Sequence, residues 1–305
     1  MRYAFDGCGI YRCPNCELMF LFPRPSVSDL KALYDDRYFS NRKFLNYENE
    51  HLYGYVDYIA ERIGKQFEDK SMVRKTKDML SAHEGRKPRW LDVGCGLGYL
   101  LDIAFDEGFD VQGVEYNQAA VNYIRSKYVY PVSCEAVGDM RPTEKFDVVS
   151  LMDVVEHLLD PFKDLEHIRS LMADNGVLVI ATMDSDSVMS RLLGKRLEDF
   201  RRTREHLYFF SRRSLTRALT AAGFDVVGIQ SRGHTFALRA LLDRLACYSP
   251  WMSRALKALV YPRWLLEAHI YVNPHTKILV YARPTATVAR LSKTGATDKF
   301  PGVSC

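Results

Sequence analysis

The stretch that most restricts the fold is RWLDVGCGLGYLLDIA, Arg89 to Ala104. A short apolar run meets three glycines on alternate residues, and apolar residues at helical spacing follow. A strand turning into a helix through Gly94, Gly96 and Gly98 leaves bare main chain where a ligand can approach. The same pattern repeats downstream. DVQGVEY reads as a strand before the helix QAAVNYIRSKY, and VSCEAV as a third strand. FDVVSLM is a fourth, followed by a helix DPFKDLEHIRSLMADNG with a glycine stop, and GVLVIATM is a fifth. A helix ending TAAG, a strand FDVVGIQ and a last strand KILVYAR complete the series. Such alternation dictates a doubly wound, Rossmann-like, mostly parallel sheet.

The 305 residues suffice for one such α/β domain with extensions. A net charge of +4 is too small to argue for a nucleic-acid partner, and none is expected. The longest apolar region, ALKALVYPRWLLEAHIYV, is broken by Lys257, Pro262, Arg263 and Glu267, so no membrane span is expected. The start, MRYAFDGCGIYRC, has no leader-like apolar run, and seven scattered cysteines form no disulfide scaffold. A reducing cytoplasm is the expected location. The expected divisions are an arm over 1–25, a helical extension over 26–85 with Ser28 capping its first helix, the α/β domain over 86–283 and a tail over 284–305.

A dinucleotide turn would place a third glycine at position 99, where this chain has Tyr99. The alternate-glycine form with Asp92 in the strand end resembles motif I of class I S-adenosylmethionine (SAM)-dependent methyltransferases. The fit is also chemical, because SAM presents a methionine ammonium, a ribose diol and an adenine rather than a pyrophosphate. Asp92 suits the ammonium, and Gly94, Cys95, Gly96 and Gly98 form the turn. Glu115 ends the second strand about twenty residues on, where an acid accepts both ribose hydroxyls. Tyr116 would flank the adenine, Asp139 would take its amine and Met140 would cover its face.

KFDVVSLMDVVEHLLDP and REHLYFFSRRSLTRALTAAGFDVV resemble segments of small-molecule methyltransferases of the ubiquinone-biosynthesis type. The resemblance implies a seven-stranded sheet with an antiparallel last strand, SAM across the strand ends and in-line methyl transfer. MDVVEH is unlike the Asn/Asp-Pro-Pro-aromatic segment of nucleic-acid amino-methyltransferases. A hydroxyl acceptor requires a base, and His157 and His206 are the candidates, with Asp153 expected near the cofactor. For His157 a packed core role weighs more than a catalytic one. Asp153, Glu156 and His157 share one helical face, an arrangement that binds a divalent ion in some relatives, yet no metal is expected without a further ligand. Arg196, Arg201, Arg202 and Arg204 make the loop before His206 either a solvated surface or a dock for an anionic acceptor.

YRCPNCELMFLFPRP resembles the second knuckle of a zinc ribbon, but Cys13 and Cys16 with Cys8 fall short of four ligands, so no zinc is expected. The expected function is methyl transfer to a small-molecule, sugar or lipid-linked acceptor, at oxygen. The alternatives are a protein or RNA methyltransferase and a non-catalytic SAM-binding partner subunit. A helical insertion over about 232–272 mixes apolar residues with Arg239, Arg244, Arg254, Lys257 and Arg263. Its readings, in order, are an extra packed layer, a cover over the acceptor cleft, and peripheral contact with an anionic membrane.

Overall fold

The computed structural model describes residues 1–33, 58–80, 85–246 and 249–285. The strands are β1 (Tyr3–Phe5), β2 (Cys8–Arg12), β3 (Met19–Phe22), β4 (Arg89–Val93), β5 (Asp110–Glu115), β6 (Val132–Cys134), β7 (Phe146–Met152), β8 (Met172–Met183), β9 (Tyr208–Phe209), β10 (Phe224–Ala237) and β11 (His269–Pro284). The helices are α1 (Val27–Leu33), α2 (Tyr58–Met79), α3 (Tyr99–Asp106), α4 (Gln118–Lys127), α5 (Pro161–Leu171), α6 (Val188–Leu193), α7 (Glu198–Arg201), α8 (Arg212–Ala221), α9 (Leu238–Ala246) and α10 (Pro250–Leu259).

The main sheet has seven strands in the order β10-β11-β8-β7-β4-β5-β6. β11 runs antiparallel to both neighbours, while β4 pairs in parallel with β5 and β7. The expected Rossmann-like sheet with its antiparallel last strand is therefore present. Strand order reverses at β4, where open α/β sheets form a crevice at the carboxyl ends. The period of two along β4 sends Leu91 and Val93 into one apolar layer and Trp90 into the other. Trp90 is fully buried beneath α2 and α3, against Val73, Leu101 and Phe109. Its indole N–H donates to Ser150 Oγ at 2.7 Å.

A second sheet, β1-β2-β3-β9, ties the N-terminal arm to the chain just past His206. Met19 pairs with Phe209, Phe20 pairs with Tyr208, and the Leu21 N–H donates to the Leu207 carbonyl. Arg24 lies over the Tyr208 ring, and Arg213 meets Glu17 at 2.8 Å. The arm is thus built into the domain. The Cys13–Cys16 stretch forms the β2–β3 turn, closed by bonds from Cys13 N–H to Leu18 and from Glu17 N–H to Cys13.

Several local expectations change. The first helix is capped by Ser26, whose Oγ accepts the Asp29 N–H, because the hydroxyl must lie three residues before its donor. The fourth-strand crossover helix stops at Leu171, and MADNG opens β8. Gly176 is no helix stop there: a Cβ on it would lie 2.9 Å from the Asp147 carbonyl oxygen, so the glycine allows a close strand approach. The β10–β11 ladder runs out to Ala237 and His269, which shortens the insertion to 238–268. Of the expected helical extension, 34–57 lies outside the described residues, as does the tail from 286.

Truncating Trp90 to alanine should cost about 3–5 kcal/mol of unfolding free energy, the range for emptying a large buried site. Urea denaturation followed by circular dichroism measures this directly.

Candidate active site

The turn after β4 is held by its own main chain. Gly94 and Cys95 N–H groups both reach the Val114 carbonyl, and Gly98 N–H donates to Cys95 O. Gly94, Gly96 and Gly98 all have positive φ. At Gly94 a Cβ would lie 2.5 Å from Val154, so the turn touches the segment after β7. At Gly98 it would press on Ile124 and the Tyr130 hydroxyl, so this glycine sets the approach of α3 to α4. Cys95 contributes main chain alone, because its side chain is buried against Gly113.

Two buried carboxylates flank this turn. Asp92 accepts the Ser150 hydroxyl at 2.6 Å, which completes a chain from the Trp90 indole through Ser150 to the carboxylate. Burial pushes the Asp92 pKa up to about 7; the Ser150 bond lowers it, and the Asp69 and Glu115 charges raise it further. Glu115 accepts N–H groups from Gly96 at 2.9 Å, Tyr116 at 2.8 Å and Asn117 at 2.9 Å. Burial raises its pKa, and these bonds pull it back. Three of its acceptor positions are therefore filled by main chain. A ribose held through both oxygens, as the sequence suggests, has to share the carboxylate with the turn.

The adenine-side candidates divide. Tyr116 is exposed and Asp139 ends a 3₁₀ turn with its side chain in solvent, so both are accessible. Met140 is only 2% exposed and packs in the core with Val137 and Leu165. It has no free face for an adenine, and the expected role of its side chain is withdrawn.

After β7 the chain turns through Asp153, a non-glycine residue at φ 57°. Its carboxylate accepts Lys277 Nζ at 2.6 Å. Burial alone would depress the Lys277 pKa, but Asp153, Asp199 and Glu156 outweigh it and hold the ammonium charged. Burial pushes Glu156 up to about 8, and Asp153 adds to the effect against Lys277. Asp153 thus faces a cation of the protein's own.

His157 and His206 meet edge to face with ring centroids 4.8 Å apart. Each Nδ1 donates to a carbonyl: His157 to Glu205 at 2.9 Å and His206 to Asp199 at 3.1 Å. Nε2 therefore carries the lone pair on both rings. Burial lowers both pKa values, and for His206 the neighbouring His157 and Arg202 deepen the effect. His157 is partly accessible, whereas His206 is 2% exposed and cannot touch an acceptor. The expected direct catalytic role is not kept for His206, whose buried ring packs edge to face on His157.

Donor atoms of Glu156, His157 and His206 lie within 4.8 Å of one another, a set that a divalent ion could gather. Lys277 competes for that role, since its ammonium already balances Asp153, Asp199 and Glu156. In the basic loop Arg202 is committed to Glu205, while Arg196 and Arg204 are exposed. Sequence reasoning missed Lys277, Asp199 and Arg232. Arg232 pairs with Asp69 of α2 and points its guanidinium at Met152 at the end of β7. The one local hint is Lys277, which stands directly before the apolar run ILVYA.

A methyltransferase-domain family model matches residues 63–229, more than half of the chain. A ubiquinone biosynthesis O-methyltransferase of Rhodopseudomonas palustris is 36% identical over 101 residues, 32% of this chain and 40% of that protein. A tRNA U34 carboxymethyltransferase of Alteromonas mediterranea is 30% identical over 163 residues, 48% of this chain and 47% of the relative. The chain therefore spans about half the length of the curated relatives it matches, or less. Among solved structures, the plantazolicin methyltransferase in complex with SAH has a TM-score of 0.51 at 14% identity, over 85% of this chain and 98% of that one. A candidate methyltransferase of Bacillus halodurans C-125 has a TM-score of 0.50 at 16% identity, over 70% and 99%. At such identities these two speak for the fold. The chain belongs to the methyltransferase-domain family, in its class I, SAM-dependent form.

Proposed function

We propose that the chain methylates a small-molecule acceptor from SAM, at oxygen. The observation that carries this reading is the pair Asp92 and Glu115. Both carboxylates are nearly fully buried at the carboxyl ends of adjacent parallel strands, and the other charges that act on Asp92 are negative. Such a site favours a ligand that brings a cation and hydroxyl donors together. The methionine ammonium suits Asp92, the ribose suits Glu115, and Tyr116 and Asp139 border the adenine. Bound SAM supplies an activated methyl on a sulfonium. The protein's task is to align the acceptor, exclude water and remove the acceptor proton.

His157 is the proposed base. Its Nδ1–H is held by the Glu205 carbonyl, so Nε2 is the atom that takes the proton. His206 fixes the ring from its edge, and Asp153 with Lys277 fixes the strained turn that presents it. The curated O-methyltransferase relatives support oxygen as acceptor atom and a small molecule as acceptor. A sugar or lipid-linked molecule remains within the same chemistry.

Isothermal titration should detect SAM and S-adenosylhomocysteine but not NAD; NAD binding would overturn the cofactor reading. Glu115→Ala should weaken SAM by about 1–3 kcal/mol, the cost of unmatched buried donors. Affinity should also follow Asp92. A cationic ligand favours the ionised carboxylate, so binding displaces its proton wherever the free site is protonated. SAM affinity should therefore rise between pH 6 and 8, approaching a tenfold gain per unit below about 7. Asp92→Asn should flatten that dependence.

The acceptor class is tested with methyl-labelled SAM and fractionated cell extract. Label should enter the small-molecule fraction, whereas label in protein or RNA would favour the alternative substrates, and no turnover a binding subunit. With the acceptor found, His157→Ala should lower kcat by roughly 10²–10⁴ and leave SAM affinity intact. The wild-type rate should fall as pH drops through a value below the ordinary histidine range, because burial lowers the His157 pKa. Dialysis against EDTA should leave turnover unchanged, since Lys277 supplies the cationic charge. Loss of turnover restored by a divalent ion would instead assign that ion to Glu156, His157 and His206.

A further inference from the structure

The insertion between β10 and β11 turns its largest apolar residues away from the protein. Its inner seam is narrow: Leu242 and Leu266 are buried, and the buried Ser253 hydroxyl joins α10 to α9 by donating to the Leu242 carbonyl at 2.7 Å. The outer residues follow in one short run of chain. Trp251 is 71% exposed, Leu259 78%, Tyr261 85% and Trp264 69%. A packed layer would bury these side chains, so packing on the core does not account for them. Four large apolar residues exposed this close together are unusual for a surface that meets only water.

The charge of the same segment selects what the surface meets. Residues 238–268 carry five cationic side chains and two acidic ones. The acids are engaged, Glu267 with Arg239 and Asp243 with Lys257. Arg254 and Arg263 stand exposed between the aromatic residues. A second copy of the chain related by a two-fold axis would bring these cations toward their own counterparts. An anionic bilayer surface satisfies both features: indole and phenol rings settle at the headgroup level, and arginines meet lipid phosphates. No helix among the described residues is long and apolar enough to cross a membrane, so the contact lies in the surface plane.

We infer that the α9–α10 insertion docks the protein on anionic membrane surfaces through Trp251, Leu259, Tyr261 and Trp264, with Arg254 and Arg263 reading the lipid charge. The inference does not rest on the proposed acceptor, and its test needs no turnover. The full chain is sedimented with phosphatidylcholine vesicles, with and without phosphatidylglycerol. It should pellet with the anionic vesicles only, and less as salt rises. The double variant Trp251→Ala/Trp264→Ala should lower partitioning by on the order of tenfold or more. Its circular dichroism and SAM affinity should be unchanged. Tryptophan emission should shift to the blue on binding, a signal carried by these two residues because Trp90, the third, is already fully buried. Absence of pelleting at low salt, or equal pelleting with neutral vesicles, would overturn the inference. So would self-association in sedimentation velocity that the double variant abolishes, because the face would then belong to a second copy.

Discussion

The hydrogen-bond chain Trp90–Ser150–Asp92 is the constraint on which the rest turns. It runs from the centre of the apolar layer to the open end of the sheet and crosses from β4 to β7. An acid this deeply buried is costly unless polar groups meet it, and one hydroxyl meets it only in part. The remaining cost appears as a pKa near 7. The fold thus holds a carboxylate in an environment that favours its neutral form until a positive charge arrives. Glu115 differs in that its three main-chain donors come from the turn and the strand end, so the acid is also part of the scaffold.

The two ends of the candidate site are electrically unlike. Beside Asp92 the acting charges are negative, whereas beside Asp153 an ammonium from the antiparallel strand already stands. Lys277 reaches that place because β11 runs opposite to β8 and pairs Lys277 with Met183 at the carboxyl edge. A parallel strand in that position would bring the last of its β8-paired residues there, whereas Lys277 is the first of them. The inserted antiparallel strand is therefore a means of placing a charge, in addition to filling the sheet.

The parts legible in the sequence are those governed by local periodicity. The β-α alternation, the glycine turn, Glu115 at a strand end and the antiparallel edge all follow from short windows or from family resemblance. The parts that were not legible depend on partners far along the chain. Lys277 and Asp153 are separated by 124 residues, and the N-terminal ribbon finds its edge at β9, a strand of two residues. Met140 looked like a site residue because it follows the Gly138–Asp139 turn, but the apolar layer below claimed its side chain. MADNG reads as the end of a helix because it closes on a glycine, whereas pairing with β7 begins at Met172. His206 carried a plausible chemistry whose accessibility only packing decides.

The N-terminal ribbon has a consequence for biogenesis. Met19 and Phe20 bond to Phe209 and Tyr208, so β3 must wait for partners made nearly two hundred residues later. Until then β3 presents an unsatisfied edge with Met19, Phe20 and Leu21 in it, the kind of surface that other chains can pair with. The loop that carries His206 likewise lacks its neighbouring strand until the ribbon docks. The ribbon can therefore complete its sheet only after β9 is made, through a contact between two short strands that closes a loop of nearly two hundred residues.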